Sequence, residues 1–319
     1  MRKKTLPAAL LALALLGGCA GPAGEPPLEG NTGTPDLPWE EAPARVSCRI
    51  VDGAGEGELL LAELDRPLTD GEDSRHDGKS VYRLSLAGEA CREKPGPNGE
   101  TAAETELRPI AVYLDGRPAT AADLTDGMPV EVVFLGAVEE TFPARLGNPY
   151  ELHAYSIGTA QNPGGGYYDL CGLYLQVLDD LWEKDPGLNA GITVAGLDLS
   201  EAPGGVLDSE KAALCWRFGE THGVETVAAT FGELAEGGYL TPVSPEGETP
   251  LYRWEDGCLF TITADQSHED EAYSGPPILF FDAQKWRSPL GAYYFGDCSA
   301  LWPEMGSWSG YKVGHEAIS

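Results

Sequence analysis

Positive charge is what this chain has least of. Its 319 residues include 21 Lys and Arg against 51 Asp and Glu, a formal net charge of −30. Nucleic acids are held by cations that neutralise phosphate, so this balance excludes nucleic acid as a partner. It equally disfavours adsorption to anionic lipid by charge alone. Histidine is scarce too: His76, His153, His222, His268 and His315 form no H-x-x-x-H or H-E-x-x-H pair, which removes the zincin motif. The cysteines show no C-x-x-C spacing, and the glycines at 164–166 fit neither G-x-G-x-x-G nor a Walker loop. No cofactor or metal is therefore expected. After residue 16 no apolar run approaches the roughly 20 residues that span a bilayer. A hydrophobic fraction of 42% nevertheless supplies a packed core.

The N-terminus is organised differently. Arg2, Lys3 and Lys4 precede an apolar run over residues 6–16, the charge and length of a signal-peptide core. Leu16-Gly17-Gly18-Cys19 then resembles the bacterial lipobox. The resemblance implies a signal peptide over 1–18 and diacylglycerol on Cys19, giving an extracytoplasmic, membrane-anchored protein; two acyl chains anchor stably where one does not. Its loss of three basic residues would leave the mature chain near −33. Residues 20–44 hold six prolines, four glycines, five acids and no Lys or Arg. This is a self-repelling linker with a reach on the order of 30–70 Å.

Residues 45–157 read as short strands with turns between them. Segments 45–51 and 58–64 flank the Gly-rich stretch 52–57, and in 81–86 Tyr82, Leu84 and Leu86 alternate with Arg83 and Ser85. Segment 110–114 runs into the hairpin signal Asp115-Gly116. Strands at 130–135 and around Phe142 complete about six, a small closed sheet. The run Asp123-Leu124-Thr125-Asp126-Gly127-Met128-Pro129-Val130-Glu131-Val132, followed by Glu139-Glu140-Thr141-Phe142-Pro143-Ala144, resembles an OB-like β-domain of uncharacterised Firmicutes lipoproteins. That resemblance implies the fold and no activity.

Residues 158–166 form a second linker, and 167–319 an α+β domain with helices first and an antiparallel sheet after. A helix over 168–184 puts Leu170, Tyr174, Leu178 and Leu181 on its buried face and Asp169, Gln176, Asp179, Asp180 and Glu183 on the other. A second runs from Asp208 to His222 and stops at Gly223. A third starts at Thr230, whose pairing with Glu233 is a capping box. Strands follow at 192–197, 251–254, 258–264, 278–282, 292–298 and 308–313, the third joined to the second through Glu255-Asp256-Gly257. Phe281-Asp282-Ala283-Gln284-Lys285-Trp286-Arg287-Ser288 with Gly291-Ala292-Tyr293-Tyr294-Phe295 and Asp297-Cys298 resembles a signature of uncharacterised lipoproteins of gut Clostridia-type bacteria, with Pro289 where glycine is expected.

Six cysteines remain after Cys19: Cys48 and Cys91 in the first part, Cys171, Cys215, Cys258 and Cys298 in the second. Disulfides and buried thiols are both open. Gly306-Ser307-Trp308-Ser309-Gly310 has Trp at the nucleophile position of a G-x-S-x-G elbow and reads as a turn. His268-Glu269-Asp270-Glu271 has oxygen ligands but not EF-hand spacing, and reads as a solvated loop. The candidate ligand contacts are Lys285, Trp286 and Arg287, two cations around an aromatic ring that can receive a carboxylate or a sugar. The competing reading pairs the cations with acids and puts Trp286 in the core. No catalytic residue is assigned. The expected function is non-enzymatic binding or scaffolding of an unidentified small molecule, glycan or protein. The alternative is a secreted hydrolase whose carboxylates converge only in the fold.

Overall fold

The computed structural model describes residues 43–69, 74–75, 78–88, 90–95, 101–106, 108–161, 169–244, 250–268, 278–301 and 308–319. The side chains of 74–75, 90–95, 101–106 and Ser309 fall outside that description. So do the signal segment, Cys19, most of both linkers, Glu269–Glu271 and Gly306-Ser307.

The first part is built of strands β1 (Ala44–Asp52), β2 (Glu58–Glu63), β3 (Ser74–Arg75), β4 (Val81–Ser85), β5 (Ala90–Pro95), β6 (Thr101–Glu106), β7 (Ala111–Leu114), β8 (Arg117–Ala119), β9 (Pro129–Phe134), β10 (Val138–Glu139), β11 (Arg145–Leu146) and β12 (Pro149–Ala154). The main sheet runs β4-β2-β1-β9-β12-β7-β8. It curls far enough that Ile110, just before β7, donates its N–H to Leu86 O just after β4, at 3.0 Å. Asp115 and Gly116 turn between β7 and β8 with φ of +50° and +75°, the left-handed pair that a two-residue hairpin needs. Phe142 lies in the loop between β10 and β11, not in a strand. The main sheet instead gains β8 and β12, neither of which is among the six expected strands.

Period-two alternation explains why β1 and β2 are so apolar. Ile50, Leu59 and Leu61 point into the curled sheet, while Val51, Leu60 and Ala62 point outward and are equally buried. The outward residues meet helices of the second part.

That part contains α1 (Leu170–Glu183), α2 (Pro186–Asn189), β13 (Val194–Asp198), α3 (Asp208–His222), β14 (Glu225–Ala228), α4 (Phe231–Glu236), β15 (Thr241–Pro242), β16 (Tyr252–Arg253), β17 (Gly257–Ala264), β18 (Ile278–Ser288), β19 (Gly291–Leu301), β20 (Ser309–Lys312) and β21 (His315–Ile318). With the first part this makes the chain α+β. The second large sheet has the order β14-β13-β17-β18-β19-β20, with β21 also on β19. It is mixed, not antiparallel: β13 runs parallel to both β14 and β17. The chain crosses from β13 to β14 through α3, and such a crossover returns the strand in the same direction. The expected hairpin of 251–254 with 258–264 is also absent. β17 already has β13 and β18 on its two edges, so β16 pairs with β15 instead.

Helix α3 joins the two sheets. Ser209 donates its hydroxyl to Glu63 O at 2.6 Å, and Arg49 Nε donates to Glu210 Oε1 at 2.8 Å. Val51, Leu60, Ala62 and Val81 share one core with α1, α3 and the second sheet, and Glu41–Ser319 forms one compact unit. No strand of one sheet pairs with the other among the described residues, so the division near 158–166 separates sheets inside that unit.

Candidate functional site

The scarce cations of β18 serve the backbone. In an extended strand Lys285 and Arg287 share one face and Trp286 takes the other. Lys285 is fully buried, and its ammonium donates to the carbonyls of Trp182, Lys184 and Asp185 and to Asn189 Oδ1. Trp182 and Lys184 lie at the C-terminal end and cap of α1, where carbonyls have no intrahelical partner, and Asp185 is the N-cap of α2, so the ammonium ties the two helices together. Burial lowers the Lys285 pKa from its ordinary value. Arg287 donates to Trp254 O (3.3 Å), Leu188 O (3.0 Å), Ala190 O (2.8 Å) and Glu255 O (2.6 Å). Trp286 packs with Leu234, Trp254 and Leu259 and meets Phe231 edge-on at 5.0 Å. The three candidates are therefore brought together around backbone and core, and the cations meet carbonyls, not the acids expected of them.

A different pair of cations is free of such duties. An isolated parallel bridge joins Tyr82 to Ala144, with Arg83 N–H donating to Ala144 O at 2.9 Å and Ala144 N–H to Val81 O at 2.8 Å. The next residue on each segment is an arginine. Arg83 and Arg145 consequently stand side by side, both exposed, and neither guanidinium has a hydrogen-bond or ion-pair partner among the described residues. They line a groove of about 430 Å³ with Glu58, Ser85, Glu139 and Asn148. Ser85 Oγ donates to Glu58 Oε1 at 2.5 Å, while Arg145 faces Glu139 across the β10–β11 ladder. Phe142, in the connecting loop, is 63% exposed. Like charges placed as neighbours on a sheet are destabilising. Glu58 and Glu139 stand in the same groove, yet neither forms an ion pair with the two arginines among the described residues. Sequence alternation puts Arg83 outward, but Arg145 carries no signal without the bridge.

Among the carboxylates, Asp169 and Asp126 are perturbed together. Burial pushes Asp169 up to about 7, with Asp126 and Asp52 adding to the rise and the Gly172 N–H and Arg49 opposing it. Burial also raises Asp126, against the Ala54 N–H that it accepts at 2.9 Å. Neither lines the groove. Cys48, Cys171, Cys215, Cys258 and Cys298 are all free, buried thiols. Burial pushes Cys215, Cys258 and Cys298 up to about 12, and Cys48 and Cys171 well above the ordinary value, so none is a poised nucleophile. Comparison with protein-family models, curated proteins and solved structures finds no match to this chain.

Proposed function

We propose that this is a lipid-anchored, extracytoplasmic binding protein. Diacylglycerol on Cys19 tethers it, and the first sheet, read as an OB-like barrel, takes a small carboxylate-bearing ligand at Arg83 and Arg145. The barrel reading rests on the β1-β2-β4 meander, on β9 and β12 added to the other edge of β1, and on the contact between Leu86 and Ile110. OB folds commonly present a binding face on such strands.

The observation that carries the reading is the adjacent, unpaired arginine pair. A guanidinium matches a carboxylate with two parallel hydrogen bonds, and two guanidiniums side by side lose their repulsion when an anion sits between them. Glu58 and Glu139 in the same groove favour a ligand that also carries an ammonium group. The surrounding negative field disfavours large polyanions and leaves small zwitterions, such as amino acids or short peptides, as the best fit.

Isothermal titration of the full-length protein in detergent tests this. Free amino acids, dipeptides, galacturonate and neutral sugars serve as probes. At least one carboxylate-bearing probe should bind, and Arg145→Ala should weaken it about 10- to 100-fold, the loss of one charge-assisted pair. Binding confined to neutral sugars, or unchanged by Arg145→Ala, would refute the proposal. The hydrolase reading draws on Asp169 and Asp126, two carboxyls that burial raises together. It predicts hydrolysis of a glycan probe by the wild type that Asp169→Asn abolishes.

A further inference from the structure

A second cluster lies on the other sheet, away from the groove residues. Asp265 follows β17, and the single 3₁₀ turn Gln266–His268 brings His268 back beside it. Asp297 reaches the same point from β19. One ligand atom from each of Asp265, His268 and Asp297 lies within 4.8 Å of the other two.

Each side chain is held from behind. The His268 ring stacks on Phe280 with centroids 4.0 Å apart and planes 18° from parallel. Asp265 Oδ1 accepts the Ser267 N–H at 2.9 Å, and the Asp265 N–H donates to Phe280 O at 3.3 Å. Asp297 sits at a bulge: Phe281 pairs with Cys298 and Ala283 with Phe295, which leaves Asp282 opposite both Gly296 and Asp297. Asp297 adopts φ +51°, and its N–H donates to Asp282 Oδ1 at 3.0 Å. A bulge of this kind re-aims the side chain it carries. His315 Nδ1 then contacts Asp297 Oδ2 at 3.0 Å. Gly296 makes that possible, since a Cβ there would lie 2.1 Å from the His315 ring.

Asp265 Oδ2 is the atom that asks for a ligand. The Asp265 side chain is only 9% exposed, Oδ2 is buried, and it accepts no hydrogen bond. His268 Nε2 approaches it at 3.5 Å, at the far limit of a hydrogen bond. A buried carboxylate oxygen without a donor is costly, and a cation repairs the deficit directly. The donor set decides which cation. Calcium and magnesium take oxygen ligands, whereas one imidazole nitrogen with two carboxylates suits zinc.

We infer that Asp265, His268 and Asp297 bind a zinc ion, with His315 orienting Asp297 from outside. Two carboxylates balance the ion's charge, and three protein ligands leave a fourth tetrahedral position for water or for a ligand oxygen. Metal–ligand bonds of about 2.0–2.2 Å put neighbouring ligand atoms roughly 3.4 Å apart, so small rotamer shifts close the site. Sequence spacing hides it, because Asp297 lies far along the chain from the Asp265-x-x-His268 turn.

The test uses chelator-stripped full-length protein in detergent, titrated with zinc chloride and with calcium chloride while the melting temperature is followed. Zinc should raise the melting temperature and calcium should not. Cobalt(II) in place of zinc should give d–d bands without a thiolate charge-transfer band. His315→Ala should weaken zinc about 10- to 100-fold, as loss of an outer partner does. Asp297→Gly suits the left-handed backbone and should fold as well as the wild type without metal, yet bind zinc at least about tenfold more weakly. It separates loss of a ligand from loss of the fold. No zinc response, an equal calcium response, a thiolate band, or unchanged zinc affinity in Asp297→Gly would each overturn the site.

Discussion

Asp169 shows how one residue can change character between sequence and structure. Helical periodicity puts it on the solvent face of α1, with Gln176 and Asp180. It is instead the N-cap: Oδ1 accepts the Gly172 N–H at 3.1 Å, and a Cβ at Gly172 would lie 2.5 Å from the carboxylate. Periodicity speaks for residues inside a helix, whereas a cap obeys the geometry of the chain entering it. Its carboxyl is raised to about 7, above the unfolded value of about 3.9. The folded state therefore binds the proton more tightly. The resulting stabilisation is complete below about pH 4 and is lost as pH rises through about 7, with an upper limit near 4 kcal/mol. Asparagine caps as well as aspartate and carries no charge. Asp169→Asn should melt higher than wild type at pH 8 and gain less on acidification to pH 5. Parallel melting profiles for the two proteins across that range would show that Asp169 is not the group responsible.

Among the elements, those with chemically distinctive ends were the legible ones. Thr230 and Glu233 do form the reciprocal cap of α4, Gly223 does end α3 with φ +66°, and Asp115-Gly116 does turn β7 into β8. β14 escaped because its four residues alternate little and bury nothing fully. Without it, the β13-α3-β14 crossover was invisible and the sheet looked antiparallel. The Lys285-Trp286-Arg287 segment stands out in the sequence because positive charge is scarce in an acidic chain. Its partners were unreadable because they are carbonyls, which every sequence has. Lys285→Met tests the role found for it. The Lys184 carbonyl would lose its lysine donor, while Trp182 O keeps Asn189 Nδ2 and Asp185 O keeps the Leu188 N–H, so the cost should be about 1–3 kcal/mol, and calorimetry should show a melting temperature lowered by several degrees with no ligand present. A variant melting with the wild type would mean the ammonium contributes nothing to holding α1.

At the scale of the molecule, the two sheets were legible as separate regions, but their union was not. The apolar run Leu59-Leu60-Leu61-Ala62 carries the reason: alternate residues serve two cores, one inside the first sheet and one beneath α1 and α3. A strand buried on both faces reads from sequence simply as a strong strand. The proposed tether is a matter of sequence chemistry, since it concerns Cys19 and residues 20–44, and the proposed function places the groove on a protein held outside the cytoplasm. Fractionation of cells expressing wild type or Cys19→Ser tests that premise most directly, with membranes washed at high salt to strip proteins held by charge. The wild type should stay in the membrane pellet and incorporate labelled palmitate, and Cys19→Ser should lose the label and move to the soluble fraction. A Cys19→Ser protein that remained in the washed pellet would contradict the lipid anchor.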